Sequence, residues 1–225
     1  MSSTIALLIR HGETDWNVAR RWQGHRDIPL NQTGREQAGV LARRLARWPR
    51  PITAIYASDL KRAEETGSIV ARHLDLECVV DAVWRERHGG IFQGLTRDEI
   101  VDKHPEAWAR YRRGGVDLPG GETMEQLRQR IARGTEALLE RHPGETVAVI
   151  SHGGALYALI LYVLGVDPAQ GLPIRVNRNT GITVVELRQE SPHWLVRLND
   201  TAHLEMGPHL ETVRALEADP GGDVG

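Results

Sequence analysis

Two short apolar runs in this 225-residue chain end in the same way, and that repetition limits the possible folds more than any other feature. Ile5 to Ile9 runs into Arg10-His11-Gly12, and Val147 to Ile150 runs into Ser151-His152-Gly153-Gly154. A brief apolar run that breaks into polar residues reads as a buried strand, and strands buried on both faces belong to parallel sheets. In an open α/β sheet, ligands bind in the crevice beyond the carboxyl ends of the strands. Both histidines are therefore expected in one crevice, facing each other, with Arg10 alongside. An imidazole held there beside a guanidinium suits phosphoryl transfer through a nucleophilic histidine.

Strands and helices alternate through the rest of the chain. A helix is expected over about Thr33 to Trp48, where Ala38, Leu41, Leu45 and Trp48 share one face and Pro49 and Pro51 end it. Ile52 to Ala57 reads as a strand, and Ser58 or Asp59 as the cap of a helix reaching about Leu74. Gly153 to Leu164 reads as a helix, while Ile182 to Leu187 and Trp194 to Leu198 read as strands paired antiparallel through Gln189 to Pro192. The expected fold is α/β, a three-layer sandwich whose mostly parallel central sheet is flanked by helices. Residues 11 to 30 lack periodicity and read as a long functional loop. Cys78 through Pro119 is less regular, although Thr96 with Glu99, and Thr123 with Gln126, form capping boxes. Gly114-Gly115 and Pro119-Gly120-Gly121 punctuate the gap between those boxes. Residues from about 96 to 120 are thus expected to form a small helical cap insertion over the active-site end of the sheet. A single catalytic domain over 1–207 and a polar tail over 208–225 complete the layout.

Charge and composition exclude several partners. A formal net charge of −2 provides no chain-wide basic field, so neither nucleic acid nor an anionic membrane surface is expected to bind. No stretch approaches the roughly 20 apolar residues of a membrane span, and the opening Met1-Ser2-Ser3-Thr4 lacks the basic start of a signal peptide. Cys78 is the only cysteine, which excludes an internal disulfide and points to a reducing compartment, the cytoplasm. The apolar runs near 182 to 198 suggest edge strands that pair across a homodimer.

Among ten histidines, His11 is singled out by its setting. Arg10 precedes it, Gly12 lets a substrate approach the backbone, and a strand holds it rigid. Neutral imidazole attacks phosphorus at physiological pH without the strong base a hydroxyl needs, giving a phosphohistidine that water then hydrolyses. Such a scheme requires no metal, because guanidinium groups neutralise the phosphate oxygens.

Around Leu8-Ile9-Arg10-His11-Gly12-Glu13-Thr14 the chain resembles the histidine phosphatase superfamily, which includes cofactor-dependent phosphoglycerate mutases and many phosphomonoesterases. The similarity spans about residues 4 to 204 and includes Ser58-Asp59-Leu60-Lys61-Arg62-Ala63, Arg85-Glu86-Arg87-His88-Gly89, Pro119-Gly120-Gly121-Glu122-Thr123 and Ser151-His152-Gly153-Gly154. It implies that His11 is the phosphorylated nucleophile and that Arg10 and Arg62 clamp the phosphate. His152 matches the second histidine, whose imidazolium would stabilise the transferring oxygens, with Gly153 beside it at the phosphate. Asn17 matches a phosphate donor, and Gln23 and Gly24 further along the loop would touch substrate. Glu86 matches the proton donor; its carboxyl should hold a proton until the ester bond breaks. His88, Arg112 and Arg113 are specificity candidates, the arginine pair being suited to a second anionic group. Glu13 and Glu122 could orient the site arginines, and Cys78 reads as a small core residue.

Other phosphatase chemistries fail on inspection. Six residues after Cys78, where a cysteine phosphatase needs arginine, stands Trp84. No Asp-x-Asp motif and no Gly-x-x-x-x-Gly-Lys loop occur. A non-catalytic binding protein of the same fold would be expected to lose His11, Arg62, Glu86 or His152, and all four are present. Glu86-Arg87-His88, Gln93-Gly94-Leu95 and Arg112-Arg113 resemble the mutase branch, whereas Pro119-Gly120-Gly121-Glu122-Thr123 resembles the phosphatase branch. The span from Glu86 to His152, 66 positions (152 minus 86), is short for a mutase, which must shield phosphohistidine from water. Hydrolysis of a small phosphorylated metabolite without a cofactor is therefore expected. Cofactor-dependent phosphoglycerate mutation, using 2,3-bisphosphoglycerate, is the alternative.

Overall fold

The computed structural model describes residues 2–113, 118–168, 170–176, 178–190 and 192–205. The expected tail, 208–225, lies outside these residues, as do 114–117 of the expected cap. In chain order the elements are β1 (Thr4–Arg10), α1 (Asp15–Val18), α2 (Gln32–Leu45), β2 (Ile52–Ala57), α3 (Lys61–Leu74), β3 (Cys78–Val80), α4 (Arg97–Lys103), α5 (Pro105–Arg112), α6 (Met124–Arg141), β4 (Thr146–Ser151), α7 (Gly153–Val163), β5 (Ile182–Leu187) and β6 (Trp194–Asp200). They form one six-stranded sheet in the order β3-β2-β4-β1-β5-β6. The first four strands are parallel and the β5–β6 hairpin is antiparallel.

Alternation along the strands builds two cores. Leu7 and Ile9 point to one face of β1 and meet Leu41, Leu45 and Val70 of α2 and α3. Ala6 and Leu8 point to the other and meet Leu127, Ile131 and Leu159 of α6 and α7. The central strands are apolar on both faces because helices cover both. Truncating a fully buried leucine such as Leu8 to alanine is expected to cost about 2–5 kcal/mol.

Local chemistry moved several boundaries. Asn31 caps α2, its side chain accepting from Gly34 N at 2.8 Å, and the helix ends at Leu45, before Trp48. Leu60, neither Ser58 nor Asp59, is the N-cap of α3, and it offers no side-chain bond. Ser58 Oγ accepts from Leu60 N, Asp59 pairs with Arg85, and the Lys61 N–H is satisfied by Asp27 from the preceding loop at 2.7 Å. That loop also holds the single turn α1, closed by a Thr14–Asn17 capping box. Strand β3, only three residues long, was hidden in the irregular middle.

The expected helical insertion is α4 and α5, with the Thr96–Glu99 capping box in place. It has its own small core of Phe92, Ile100, Trp108 and Leu118. Trp22, from the loop that follows His11, packs edge-on against Phe92 and Tyr111 at 5.5 and 5.4 Å. The outer strand β6 exposes Trp194, Val196 and Leu198.

Candidate active site

Strand register places the two histidines. In the parallel β1–β4 pair Arg10 stands opposite Ser151, so the next residues, His11 and His152, leave adjacent strands side by side. Their ring centroids lie 5.1 Å apart and both side chains are buried. His11 Nδ1 lies 2.7 Å from the Gly12 carbonyl. A carbonyl only accepts, so Nδ1 carries the hydrogen and Nε2 keeps its lone pair. Burial, then the charges of Arg62 and Arg10, hold the His11 pKa well below the usual histidine value, so the ring is neutral at physiological pH.

His152 is oriented the opposite way. Arg62 Nε donates to His152 Nδ1 at 3.1 Å, so Nδ1 is the acceptor and Nε2 bears the hydrogen. That Nε2 is buried and has no partner among the described residues. The expected imidazolium is not what the structure holds: burial and the Arg62 charge push the His152 pKa well below its usual range. A neutral ring with an outward Nε2–H still donates a hydrogen bond to an oxyanion.

Arg62, in the first turn of α3, is fully buried. Besides His152 it donates to Gly24 O and Arg26 O, both at 2.8 Å. A guanidinium has five N–H groups, so two remain for an anion. Burial lowers its pKa to about 10, partly offset by Glu86, and it stays charged. Arg10 is buried as well, its pKa lowered by burial and supported by Glu86.

Asn17 is aimed by the turn it caps. Its Oδ1 accepts from Thr14 N at 3.0 Å and from Thr14 Oγ1 at 3.1 Å, with Asn179 Nδ2 at 3.4 Å. The acceptor end of the amide is thus committed, and the donor end is left for an anion.

Glu86 lies on an irregular stretch beyond β3, yet it ends up at α7. Its Oε1 accepts from Ala155 N at 3.0 Å and from Arg87 N at 2.8 Å, and its Oε2 accepts from Gly154 N at 3.1 Å. The carboxyl group thereby caps α7, whose N-cap residue, His152, makes no side-chain cap bond. Three backbone N–H donors thus converge on the Glu86 carboxyl group at the start of α7. Gly153 opens α7 directly after His152.

The expected substrate-side residues divide into two groups. Gln23 is buried, its Oε1 without a partner among the described residues, and Gly24 (φ +50°) lies against Gly89 N and the Gln93 side chain. His88 packs edge-on against His25 with ring centroids 5.0 Å apart, and His25 Nε2 donates to Glu86 O at 2.7 Å. These residues share the wall that carries Glu86. Arg112 and Arg113 are placed differently, exposed at the end of α5, with the Arg112 guanidinium 6.0 Å from the Trp108 ring.

Several supporting residues escaped sequence reasoning. Thr66 accepts from Gly12 N at 3.0 Å and donates to Arg62 O at 2.7 Å, tying α3 to the loop after β1. Asn179 donates to His11 O at 2.9 Å and Thr180 N to Arg10 O at 2.9 Å, so the turn before β5 braces the Arg10-His11 backbone. The four-residue helical spacing of Thr66 from Arg62 was a readable signal; Asn179 offered none. Glu13 accepts from Asn31 Nδ2, and Glu122 pairs with Arg130.

Comparison with known proteins gives a consistent result. The family described as histidine phosphatase superfamily (branch 1) matches residues 6–201. Phosphoglycerate mutase-like protein 4 of Arabidopsis thaliana is 37% identical over 213 residues, 92% of this chain and 89% of that protein. A metal-independent phosphoserine phosphatase of the same plant is 37% identical over 206 residues, 89% and 83% of the respective chains. Among solved structures, a mycobacterial glucosyl-3-phosphoglycerate phosphatase complexed with VO3 superposes with a TM-score of 0.79 at 28% identity, covering 88% of this chain and 99% of that one.

Proposed function

The chain belongs to the histidine phosphatase superfamily, branch 1, and from that membership we infer that it is a phosphomonoester hydrolase whose nucleophile is His11. The observation that carries this assignment is the opposed pair of tautomers: a lone pair on His11 Nε2 and a hydrogen on buried, unpartnered His152 Nε2. One ring is arranged to attack and the other to donate.

In the proposed reaction His11 Nε2 attacks phosphorus in line with the ester oxygen. The P–O bond breaks, and the proton on Glu86 passes to the departing alkoxide. Water then attacks the phosphohistidine, gives a proton to Glu86, and releases phosphate with His11 restored. Arg10, the two remaining N–H groups of Arg62, the Asn17 amide and His152 Nε2–H hold the equatorial oxygens. Gly154 and Ala155 are committed to Glu86, so Gly153 carries the share of the α7 amides at the phosphate. Gln23, Gly24 and His88 face the leaving group, and Arg112 and Arg113 lie at the cap mouth.

Residues 1–207 act as one catalytic unit with the helical insertion as its cap. The substrate is a small phosphorylated metabolite, and a metal-independent scheme agrees with the chain's similarity to the plant's metal-independent phosphoserine phosphatase. Among the described residues no helix is long and apolar enough to cross a membrane. A single cysteine, Cys78, supports a reducing, cytoplasmic setting.

Acid-quenched enzyme should carry a phosphoryl adduct on His11, detectable by mass; full activity in His11→Ala would overturn the mechanism. Phosphoglycerate mutation remains the second reading, since a mutase-like relative is as similar as the phosphatase. Incubation with 3-phosphoglycerate, with and without 2,3-bisphosphoglycerate, separates them. Hydrolysis releases inorganic phosphate, whereas formation of the 2-isomer without phosphate release would establish the mutase.

A further inference from the structure

The stretch that carries Glu86 belongs to no helix or strand at Arg85 and Glu86, so its backbone groups need other partners. Each of four successive carbonyls is taken by a side chain from elsewhere. Arg130, on α6, donates from Nη1 to Val83 O at 2.8 Å and to Arg85 O at 2.9 Å, and from Nη2 to Glu86 O at 3.3 Å. Ser151 Oγ donates to Trp84 O at 2.7 Å, and His25 adds a second bond to Glu86 O. The rest of the Arg130 fork grips Glu122, Nε to Oε1 at 2.9 Å and Nη2 to Oε2 at 2.7 Å. All five of its N–H groups are therefore used. Glu122 is fastened to the same stretch, since its N–H donates to His88 O at 3.0 Å and its carbonyl accepts from Arg87 Nε at 2.8 Å.

We propose that Arg130, locked by Glu122, is a positioning residue that sets where the Glu86 carboxyl stands relative to the leaving group. The inference rests on Glu86 being the proton donor. Arg130 lies on α6 and reaches Glu86 only through its backbone, so it has no contact with the transferring phosphoryl group in this scheme. Its fork spans carbonyls three residues apart while holding a carboxylate on its opposite edge. A lysine, with three N–H groups on one atom, reproduces neither the span nor the bidentate grip. Releasing the stretch frees Glu86 to shift at its backbone while the α7 amides still pull on its carboxyl end.

A general acid matters for poor leaving groups and little for good ones, and that difference isolates the effect. The full-length protein and the variants Arg130→Lys, Arg130→Met, Glu122→Gln and Glu86→Gln are assayed on 4-nitrophenyl phosphate, whose phenolate leaves unaided. They are also assayed on the fastest alkyl ester among phosphoserine, 3-phosphoglycerate and glycerol 3-phosphate. A misplacement of about 1 Å costs on the order of 100-fold in rate. The comparison is made in kcat/KM, which reports transfer to His11 and not the later hydrolysis that both esters share: the two Arg130 variants should lose about that factor on the alkyl ester and stay within about 3-fold of the parent on the aryl ester. Glu122→Gln should show the same bias at smaller amplitude, and a thermal melt checks each fold. If Arg130→Met fails to fold, Arg130→Lys and Glu122→Gln carry the test. Equal losses of kcat/KM on both esters, or none, overturn the positioning role. Bias in Glu86→Gln without bias in the Arg130 variants refutes this inference alone. Absence of bias in Glu86→Gln refutes the assignment of Glu86 itself.

Discussion

Replacing Gly154 by alanine puts one methyl group directly against the proposed acid. A Cβ built on Gly154 falls 2.6 Å from Glu86 Oε1 and 3.4 Å from its Cδ, where contacts under 3.0 Å are essentially never seen. Ordinary contact begins at 3.4 Å, so the oxygen has to retreat by about 0.8 Å (3.4 minus 2.6). Three backbone N–H donors converge on that carboxyl, and the retreat breaks or stretches at least the bonds from Gly154 and Ala155. Displacement on this scale reduces the chemical step by roughly 30- to 100-fold for a substrate with an alkoxide leaving group. Stability should change far less. Alanine gains up to about 1 kcal/mol over glycine within a helix, and this offsets a weakened cap of similar size. The assay is single-turnover rapid quench, following phosphohistidine formation and decay separately. Both steps should slow, because the same carboxyl group gives the proton in the first and takes one in the second. Parent-like rates in a folded Gly154→Ala protein would refute the claim that Glu86, held on the α7 amides, performs the proton transfers.

Three further outcomes follow from the geometry. His203, buried with Nε2 on Thr180 Oγ1, has its pKa lowered by burial from 6.5 to about 4. It stays neutral in the folded protein while the unfolded chain protonates. Its contribution is therefore complete above pH 6.5 and is lost progressively from there down to about pH 4, in all roughly 3 kcal/mol at about 1.36 kcal/mol per unit. His203→Gln should flatten the fall of Tm between pH 6.5 and 4.5, and an unchanged slope would contradict this. Asn179→Leu removes the bonds to His11 O and Asn17 and should reduce kcat/KM about 10-fold, with little change in Tm; unaltered kinetics would show that the brace is dispensable. Turnover in excess chelator should equal that in buffer, and its abolition would sink the metal-free scheme.

Among the groups proposed to touch phosphate, the two histidines were legible because each follows an apolar run that marks a strand, whereas Arg62 and Asn17 were singled out by the family resemblance. His11 and His152 follow β1 and β4, and Arg62 lies one residue inside α3. Capping boxes at Thr96 and Thr123 were equally readable, since both partners lie within four residues. What resisted reading works through main-chain atoms. Arg130 acts on carbonyls 44 to 47 positions away, and a carbonyl looks the same whatever residue bears it. Asn179 supports a backbone 168 positions distant for the same reason. The α3 cap was misplaced because Asp27, remote in sequence, satisfies the amide that local chemistry assigned to Ser58 or Asp59. The protonation of His152 depended on which of its nitrogens Arg62 would meet, a matter of tertiary approach that sequence does not encode locally.

Only one residue separates Glu86 from His88, where the wall shared with His25 begins, and four more lead to Phe92 in the core of the cap. The proposed proton source and the surface proposed to meet the departing alcohol are thus one continuous piece of chain, while the proposed nucleophile, His11, follows a separate, rigid strand. Divergence towards a new substrate in such a protein is not a free exchange of caps over a constant reaction centre. Each remodelling of the cap also retunes the strength of the acid's aim, so an acquired preference arrives with its own turnover number, and the two traits are inherited as a single unit.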